Sequence, residues 1–100
     1  MRKITKEIHT AWKNGSTMSK GNTITDGQKV WLHGNCIVNN NGGFDIVRSR
    51  QGTFVSDGGY GYSRTTAERL KPWTRFTRKK GKLFMDERPY KSGEWFRVDV

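Results

Sequence analysis

Short turn sequences interrupt the chain about every eight residues between positions 26 and 59, and this spacing limits what it can fold into. They are Asp26-Gly27, Gly34-Asn35, Asn40-Asn41-Gly42-Gly43, Gln51-Gly52 and Gly58-Gly59. Such sequences close antiparallel hairpins, because they tolerate the positive φ angles that tight turns require. The segments between them have the length of strands: QKVWLH, CIVN, FDIVRSR, TFVS and YGYSR. The spacing therefore predicts a meandering antiparallel sheet over residues 23–64.

Two helices are predicted on either side of this sheet. Near the N-terminus, apolar side chains recur at helical spacing at Ile4, Ile8, Ala11 and Trp12. Asn14-Gly15 supplies a typical helix end, which gives a helix over 3–14. Thr65-Thr66-Ala67-Glu68 matches a capping box, and Pro72 cannot continue a helix, which together predict a short helix over 65–71.

The C-terminal part alternates in the manner of strands. WTRFTR and KLFMD form a hairpin joined by Lys79-Lys80-Gly81, and EWFRVDV follows a Pro-Tyr-Lys-Ser-Gly turn as a last strand. Residues 15–22 are expected to be a flexible connection. The fold class is therefore α+β in a single small domain over 1–100, with the basic hairpin and last strand at 73–100. The sheet could curl into a small, partly open barrel.

Composition excludes several classes of protein. With one cysteine, Cys36, neither an internal disulfide nor a cysteine-based metal site can form, and we expect no metal and no cofactor. No apolar run approaches the ~18 residues of a membrane span, and the basic N-terminus lacks the apolar core of a secretion signal. We expect an intracellular protein that makes no membrane contact.

Positive charge is concentrated in one part of the chain. The net charge is +10, but residues 21–63 are neutral overall, whereas residues 64–82 carry eight basic side chains against Glu68 alone. A basic block on a balanced chain is typical of a polyanion partner, with nucleic acid the first candidate. The alternative is a solvated face whose lysines protect an edge hairpin against aggregation.

The basic block supplies the predicted binding residues. Trp73 is two positions from Arg75 in a strand, which places both on one face, so Trp73 is the best candidate for stacking on a base. Phosphate contacts position a ligand without reading its sequence, so we expect weak base specificity. The basic residues predicted to bind nucleic acid or a partner are Arg64, Arg69, Lys71, Arg75, Arg78, Lys79, Lys80 and Lys82.

Catalysis has little support in the sequence. Neither histidine has a nucleophile at a fixed spacing, and Cys36 has no sequence neighbour to activate it. A small nuclease would need Asp45, Asp57 and Asp86-Glu87 to converge in space, and such scattered carboxylates have little specificity. We therefore expect a protein that is not an enzyme.

Several motifs are similar to those of a known group of proteins. These are Trp12-Lys13-Asn14-Gly15, Gly21-Asn22-Thr23, Leu32-His33-Gly34-Asn35-Cys36-Ile37 and Thr65-Thr66-Ala67-Glu68-Arg69-Leu70. In this order they resemble small proteins of tailed bacteriophages, which have an Asn-Gly-capped N-terminal helix and a Leu-His-Gly-Asn-x-Ile strand. The resemblance covers about the first seventy residues. It implies a phage-encoded protein in the bacterial host cytoplasm, and it supplies no catalytic residues.

Two functions follow from these observations. The first is a small, basic, non-enzymatic nucleic-acid-binding protein, for DNA or RNA. The second is a phage-encoded inhibitor whose basic patch docks on an acidic host protein, such as a defence, transcription or replication factor.

Overall fold

The computed structural model describes residues 1–40 and 52–98, which form two helices and nine strands. The helices are α1 (Lys3–Lys13) and α2 (Arg64–Leu70). The strands are β1 (Met18–Lys20), β2 (Thr23–Thr25), β3 (Lys29–Leu32), β4 (Asn35–Asn39), β5 (Thr53–Val55), β6 (Phe76–Lys79), β7 (Lys82–Met85), β8 (Arg88–Tyr90) and β9 (Phe96–Val98). Most of the predicted turn at 40–43 and the predicted strand FDIVRSR lie outside the described residues.

The strands form two antiparallel sheets, which confirms the α+β class. One has six strands in the order β1-β2-β3-β4-β5-β9, and the other has three in the order β6-β7-β8. The barrel that the sequence allowed is not formed, since β1 and β9 remain separate edges. Between β5 and β6, α2 and Pro72 interrupt the meander, and the chain begins a second sheet.

Helix α1 matches its predicted range to within one residue at its end. Its buried face consists of Thr5, Ile8, Ala11 and Trp12, and it packs on β1, β2 and β3. The connection after it is more ordered than predicted. Met18–Lys20 pairs with β2, and the Ser16 amide donates to the Ala11 carbonyl at 2.8 Å, so 15–22 contains an edge strand.

Helix α2 begins one residue earlier than predicted because Ser63 is its N-cap. The Ser63 hydroxyl accepts from the Thr66 amide at 3.0 Å, so the Thr65 capping box is not the one formed. Glu68 is used differently. Its carboxylate accepts from the Arg2 backbone amide at 2.7 Å, and this bond is the main reason that the Glu68 pKa falls to about 2.

One cluster of buried side chains is shared by both helices and both sheets. Ile8 and Trp12 come from α1 and Leu70 from α2. The remaining members are Val30, Leu32, Ile37, Val38, Val55, Trp73, Phe76, Met85, Tyr90 and Val98. In the described part of the chain, no helix is long and apolar enough to cross a membrane.

The C-terminal half contains a strand that the sequence prediction missed. Arg88–Tyr90, read as part of a turn, is β8 and pairs with β7. The turn before it is formed by Asp86 and Glu87, whose φ angles are +51° and +67°. Without a glycine or asparagine, this turn leaves no recognisable signal in the sequence. The last strand begins at Phe96, two residues later than EWFRVDV predicts, and pairs with β5, while residues 99–100 lie outside the described residues.

A buried carboxylate connects the second sheet to the end of the first. Asp57 is 1% exposed and follows β5 by two residues. Its Oδ1 accepts from the amides of Gly59 and Gly93 at 2.8 and 2.9 Å. Its Oδ2 accepts from the Gly61 amide at 2.9 Å and the Ser92 hydroxyl at 2.6 Å. The segment predicted as strand YGYSR is therefore a loop wrapped around this carboxylate.

The side chain of Tyr90 completes this arrangement, which we call the Asp57 hub (Asp57, Gly59, Gly61, Tyr90 and 92–93). The Tyr90 hydroxyl donates to Asp57 Oδ1 at 3.2 Å. Burial raises the Asp57 pKa, but hydrogen bonds from Ser92 and three amides outweigh it, so the pKa lies below the ordinary 3.8.

We expect Asp57→Asn to destabilise the fold by about 3 kcal/mol, because the new NH₂ group faces donors and one charge-assisted acceptor is lost. Urea unfolding at neutral pH measures this. The matched control is Asp26→Asn, because Asp26 is exposed and uses only Oδ1 to accept from Gln28 and Lys29. The amide oxygen of asparagine can accept the same two hydrogen bonds, so Asp26→Asn should change the free energy of unfolding very little.

The destabilisation should also depend on pH. Because the folded pKa of Asp57 is depressed, its contribution is complete above the unfolded value of 3.8 and is lost as pH falls through the folded pKa. The difference in free energy of unfolding between wild type and Asp57→Asn should therefore become smaller below pH 3.8. If the difference in free energy of unfolding stays constant down to pH 2, the stabilisation does not depend on an ionised Asp57, and this account of the hub is wrong.

Candidate nucleic-acid interface

Arg69, one of the predicted phosphate contacts, is buried. Arg69 is 5% exposed. Its Nε donates to Thr23 Oγ1 at 3.0 Å, and its Nη1 donates to Thr5 Oγ1 at 3.3 Å. Arg69 thus joins α2 to α1 and β2. The guanidinium has little surface to offer a phosphate, and we remove it from the predicted site.

Trp73, the predicted stacking residue, is also in the core, with 7% of its surface exposed. Its ring meets Trp12 edge to face, with centroids 5.1 Å apart, and makes a similar contact with His9 at 5.1 Å. These contacts fix α1 against the segment after α2. Trp73 is therefore not available to stack on a base, which corrects the prediction.

The remaining seven predicted residues are exposed but do not form one patch. Arg64 and Lys71 border a depression beside Glu68, where Lys71 Nζ is 3.2 Å from Glu68 Oε1. Arg75 lies near the opposite end of the β6–β7 hairpin, with its Nη1 3.8 Å from Glu87 Oε2. Lys71 and Arg75 thus already have an acidic partner, and Arg64 borders the same depression as Glu68.

Arg78 occupies a third position. Its guanidinium carbon lies 5.3 Å from the centre of the Tyr62 ring, and Tyr62 packs on Phe76 with ring centres 5.3 Å apart. The contact is a cation–π interaction between the hairpin and the loop before α2. Arg78 is exposed to solvent and keeps its place among the cations that a ligand could reach.

Three lysines meet at the tip of the β6–β7 hairpin. Lys79 and Lys82 are directly opposite each other in the ladder, and Lys80 and Gly81 form the turn between them. Both turn residues have positive φ, +52° and +79°, as in a type I′ turn. All three lysines are exposed. We call Lys79, Lys80 and Lys82 the lysine tip.

The lysine tip is unfavourable for the hairpin itself. Like charges directly opposite in a ladder repel each other. Lys80 adopts a left-handed conformation, which asparagine or glycine would adopt at lower cost. Neither feature is explained by the stability of the fold.

The tip continues into an exposed sheet face that carries an aromatic ring. Side chains alternate along strands, and Phe76, Met85 and Tyr90 are buried on one side of the three-stranded sheet. The opposite side, which we call the outer sheet face, presents Thr77, Lys79, Lys82, Phe84 and Pro89.

Phe84 is half-buried at the centre of this face, between Thr77 on β6 and Pro89 on β8. A shallow groove of about 480 Å³ runs past it, bordered by Lys82 and by Lys91. Charge and an accessible aromatic side chain therefore lie together in this groove.

Phe84 and Lys91 were missed by the sequence prediction, although a signal for Phe84 was present. In KLFMD, Leu83 and Met85 are the apolar pair two residues apart, so Lys82 and Phe84 must share the other face. Lys91 follows a strand that the sequence did not reveal, and nothing in the local pattern would have placed it beside Phe84.

The carboxylates that a nuclease would need have other roles where the structure describes them. Asp57 is occupied by the hydrogen bonds of its hub, and Asp86 accepts from the Arg75 amide at 3.0 Å. Asp45 lies outside the described residues. Within residues 1–40 and 52–98, no three His, Cys, Asp or Glu side chains are grouped to hold a metal ion. Burial raises the pKa of the Cys36 thiol.

The family of the chain follows from a match over almost its whole length. The family model described as Kyanoviridae Gp96 protein matches residues 1–99. The chain belongs to this family. Its phage origin, expected from the resemblance, is thereby confirmed, whereas the individual motifs of that resemblance stay predictions. No curated protein and no solved structure matches the chain.

We expect Arg69→Met to lower the free energy of unfolding by about 2–4 kcal/mol, because the hydroxyls of Thr5 and Thr23 lose their buried donors. Arg64→Met is the matched control on the same helix, and as an exposed substitution it should change stability by less than about 0.5 kcal/mol. Thermal and urea unfolding measure both. Equal stabilities of the two variants would contradict the structural role assigned to Arg69.

Proposed function

We propose that this phage protein binds nucleic acid with low sequence specificity through the lysine tip and the outer sheet face. The observation that carries the proposal is the lysine tip itself, where two lysines face each other across the ladder and a third occupies the turn. Bound phosphates would relieve this repulsion, so an anionic partner makes the arrangement more favourable.

The surrounding residues support a polyanion rather than a single anion. Lys91 follows Tyr90, the partner of Leu83, and so lies beside Lys82, which extends the row of lysines from β6 across the sheet to the end of β8. Arg78 points to the other side of β6, over the Tyr62 ring, and adds charge at the edge of this surface. The cations are thus distributed over a surface and do not converge on one point. A chain of phosphates satisfies several such charges at once.

Low specificity follows from the kind of cation. Lysine is a flexible point charge, whereas sequence reading in duplex grooves depends heavily on the planar, bidentate groups of arginine, asparagine and glutamine. The lysine tip has no such group. We therefore expect affinity to depend on salt far more than on base sequence.

The proposal is tested by fluorescence anisotropy with labelled DNA and RNA oligonucleotides across a range of salt concentrations. Replacing Lys79, Lys80 and Lys82 together by glutamine should weaken binding at least ~10-fold and lower the salt slope by about 2 to 3, one counterion for each lost phosphate contact. The matched control replaces the exposed lysines of α1 by glutamine at Lys3, Lys6 and Lys13. Both variants lose the same charge.

The control should bind nearly as well as wild type. Equal losses in the two variants would mean that net charge alone drives binding, and the site would be wrong. If wild type binds no nucleic acid, the proposal is rejected. Stoichiometric capture of one acidic host protein from nuclease-treated lysate, abolished by the lysine-tip variant, would then establish the inhibitor function.

A single substitution should separate binding from folding. Lys80→Asn removes one cation and places in the turn a residue that adopts positive φ more readily. We expect the free energy of unfolding to rise by about 0.5–1 kcal/mol while nucleic-acid affinity falls. Lys13→Asn in α1 removes the same charge without these effects. A loss of stability in Lys80→Asn would show that Lys80 has a structural role.

A further inference from the structure

We infer that the outer sheet face takes single-stranded nucleic acid in preference to duplex, with one unstacked base lying on the ring of Phe84. This inference rests on the proposed function and specifies its ligand. It depends on the position of Phe84 within the sheet and on the placement of cations and carboxylates around it, not on the number of positive charges.

The position of Phe84 favours an unstacked base. Its side chain is half-buried and level with Thr77 and Pro89 on neighbouring strands, so its ring cannot project into a groove of a duplex. Duplex bases are stacked on one another and show only their edges. A base released from the stack can lie across the ring, as it does on the aromatic platforms of single-strand-binding proteins.

The lysine tip lies close enough to Phe84 to contact a phosphate next to a base on its ring. Lys82 is two residues from Phe84 on the same face of β7, a distance of about 7 Å along the strand. A base on Phe84 would therefore leave its neighbouring phosphate near Lys82 and Lys79 if the strand is extended.

The acidic side chains limit the path that a bound strand can take. Lys82 begins β7, whereas the turn after β7 carries Asp86 and the exposed Glu87. Phosphates would be repelled from that turn. The favourable path therefore crosses the tip end of the sheet, from Lys79 and Lys82 toward Lys91, which follows Tyr90 and so lies beside Lys82. A base can reach Phe84 from this path, two residues along β7, while the phosphates stay away from Asp86.

The outer sheet face is small, so it can contact only a short stretch of nucleic acid. Three strands span about 10 Å from β6 to β8, and four residues of β7 span about 13 Å. We therefore expect contact with about two or three nucleotides, of which one stacks on Phe84. A site of this size gives modest affinity, dominated by the lysine tip.

The experiment measures dissociation constants for a 12-nucleotide oligothymidylate, a 12-nucleotide oligouridylate and a 12-base-pair DNA duplex. In Phe84→Leu, affinity for the single strands should fall by about 5- to 100-fold, because stacking is lost, with duplex affinity unchanged. Phe84→Trp should restore single-strand affinity. Tyr60→Leu is the matched control, since Tyr60 is an exposed aromatic (74%) outside the three-stranded sheet. Circular dichroism and thermal unfolding confirm the fold of each variant.

The outcomes separate the inference from the proposed function. Wild-type protein that binds neither single strands nor duplex overturns both. Wild-type protein that binds them equally, with Phe84→Leu unchanged, keeps the proposed function and overturns the inference. The inference is also overturned, and the proposed function kept, if Tyr60→Leu loses as much single-strand affinity as Phe84→Leu. A Phe84→Trp variant that does not regain single-strand affinity has the same consequence. A preference between oligothymidylate and oligouridylate assigns the ligand to DNA or RNA.

Discussion

The carboxylate of Asp57 is the interaction on which the arrangement of the two sheets depends. It is buried after β5 and accepts hydrogen bonds from the loop that leads to α2 and from the loop after β8. These loops are more than thirty residues apart in sequence. Apolar packing at Phe76, Met85 and Tyr90 holds the three-stranded sheet to the core but is not directional. The hub adds direction, because a carboxylate accepts from fixed amides at only a few angles.

The core packing and the Asp57 hub both use the buried side of the three-stranded sheet, so the outer sheet face contributes little to holding the fold together. The buried side of β6–β8 contributes to the shared core, and the hub fixes the end of β8. The side chains of Lys79, Lys82 and Phe84 lie on the other side of the sheet and make no contact in the hub, although Tyr90 and Ser92 of the hub also border the groove beside Phe84. Binding residues on a rigid sheet are positioned more accurately than residues on a loop. The core and the binding face can therefore be altered separately, as the turn lysine illustrates.

Elements of the fold could be predicted from the sequence where the residues that determine them are close together along the chain. Helix α1 follows from its apolar spacing, and β3 follows from the turn sequences on either side of QKVWLH. β8 was missed because its turn uses Asp86 and Glu87 at positive φ with no glycine. Arg69 and Trp73 were misassigned for a different reason. A basic block says where charge lies along the chain, but burial of single members is decided by packing between distant elements, which one sequence does not display.

The opposed pair Lys79 and Lys82 has a consequence for how the protein responds to ionic strength. In the empty protein these charges push the ends of β6 and β7 apart, and dissolved salt screens that repulsion. The same salt opposes the release of counterions that would drive the proposed binding to phosphates. Added salt should therefore tighten the empty hairpin while it weakens the complex. The salt concentrations that most stabilise the hairpin of the isolated protein are therefore those that would most weaken the proposed complex.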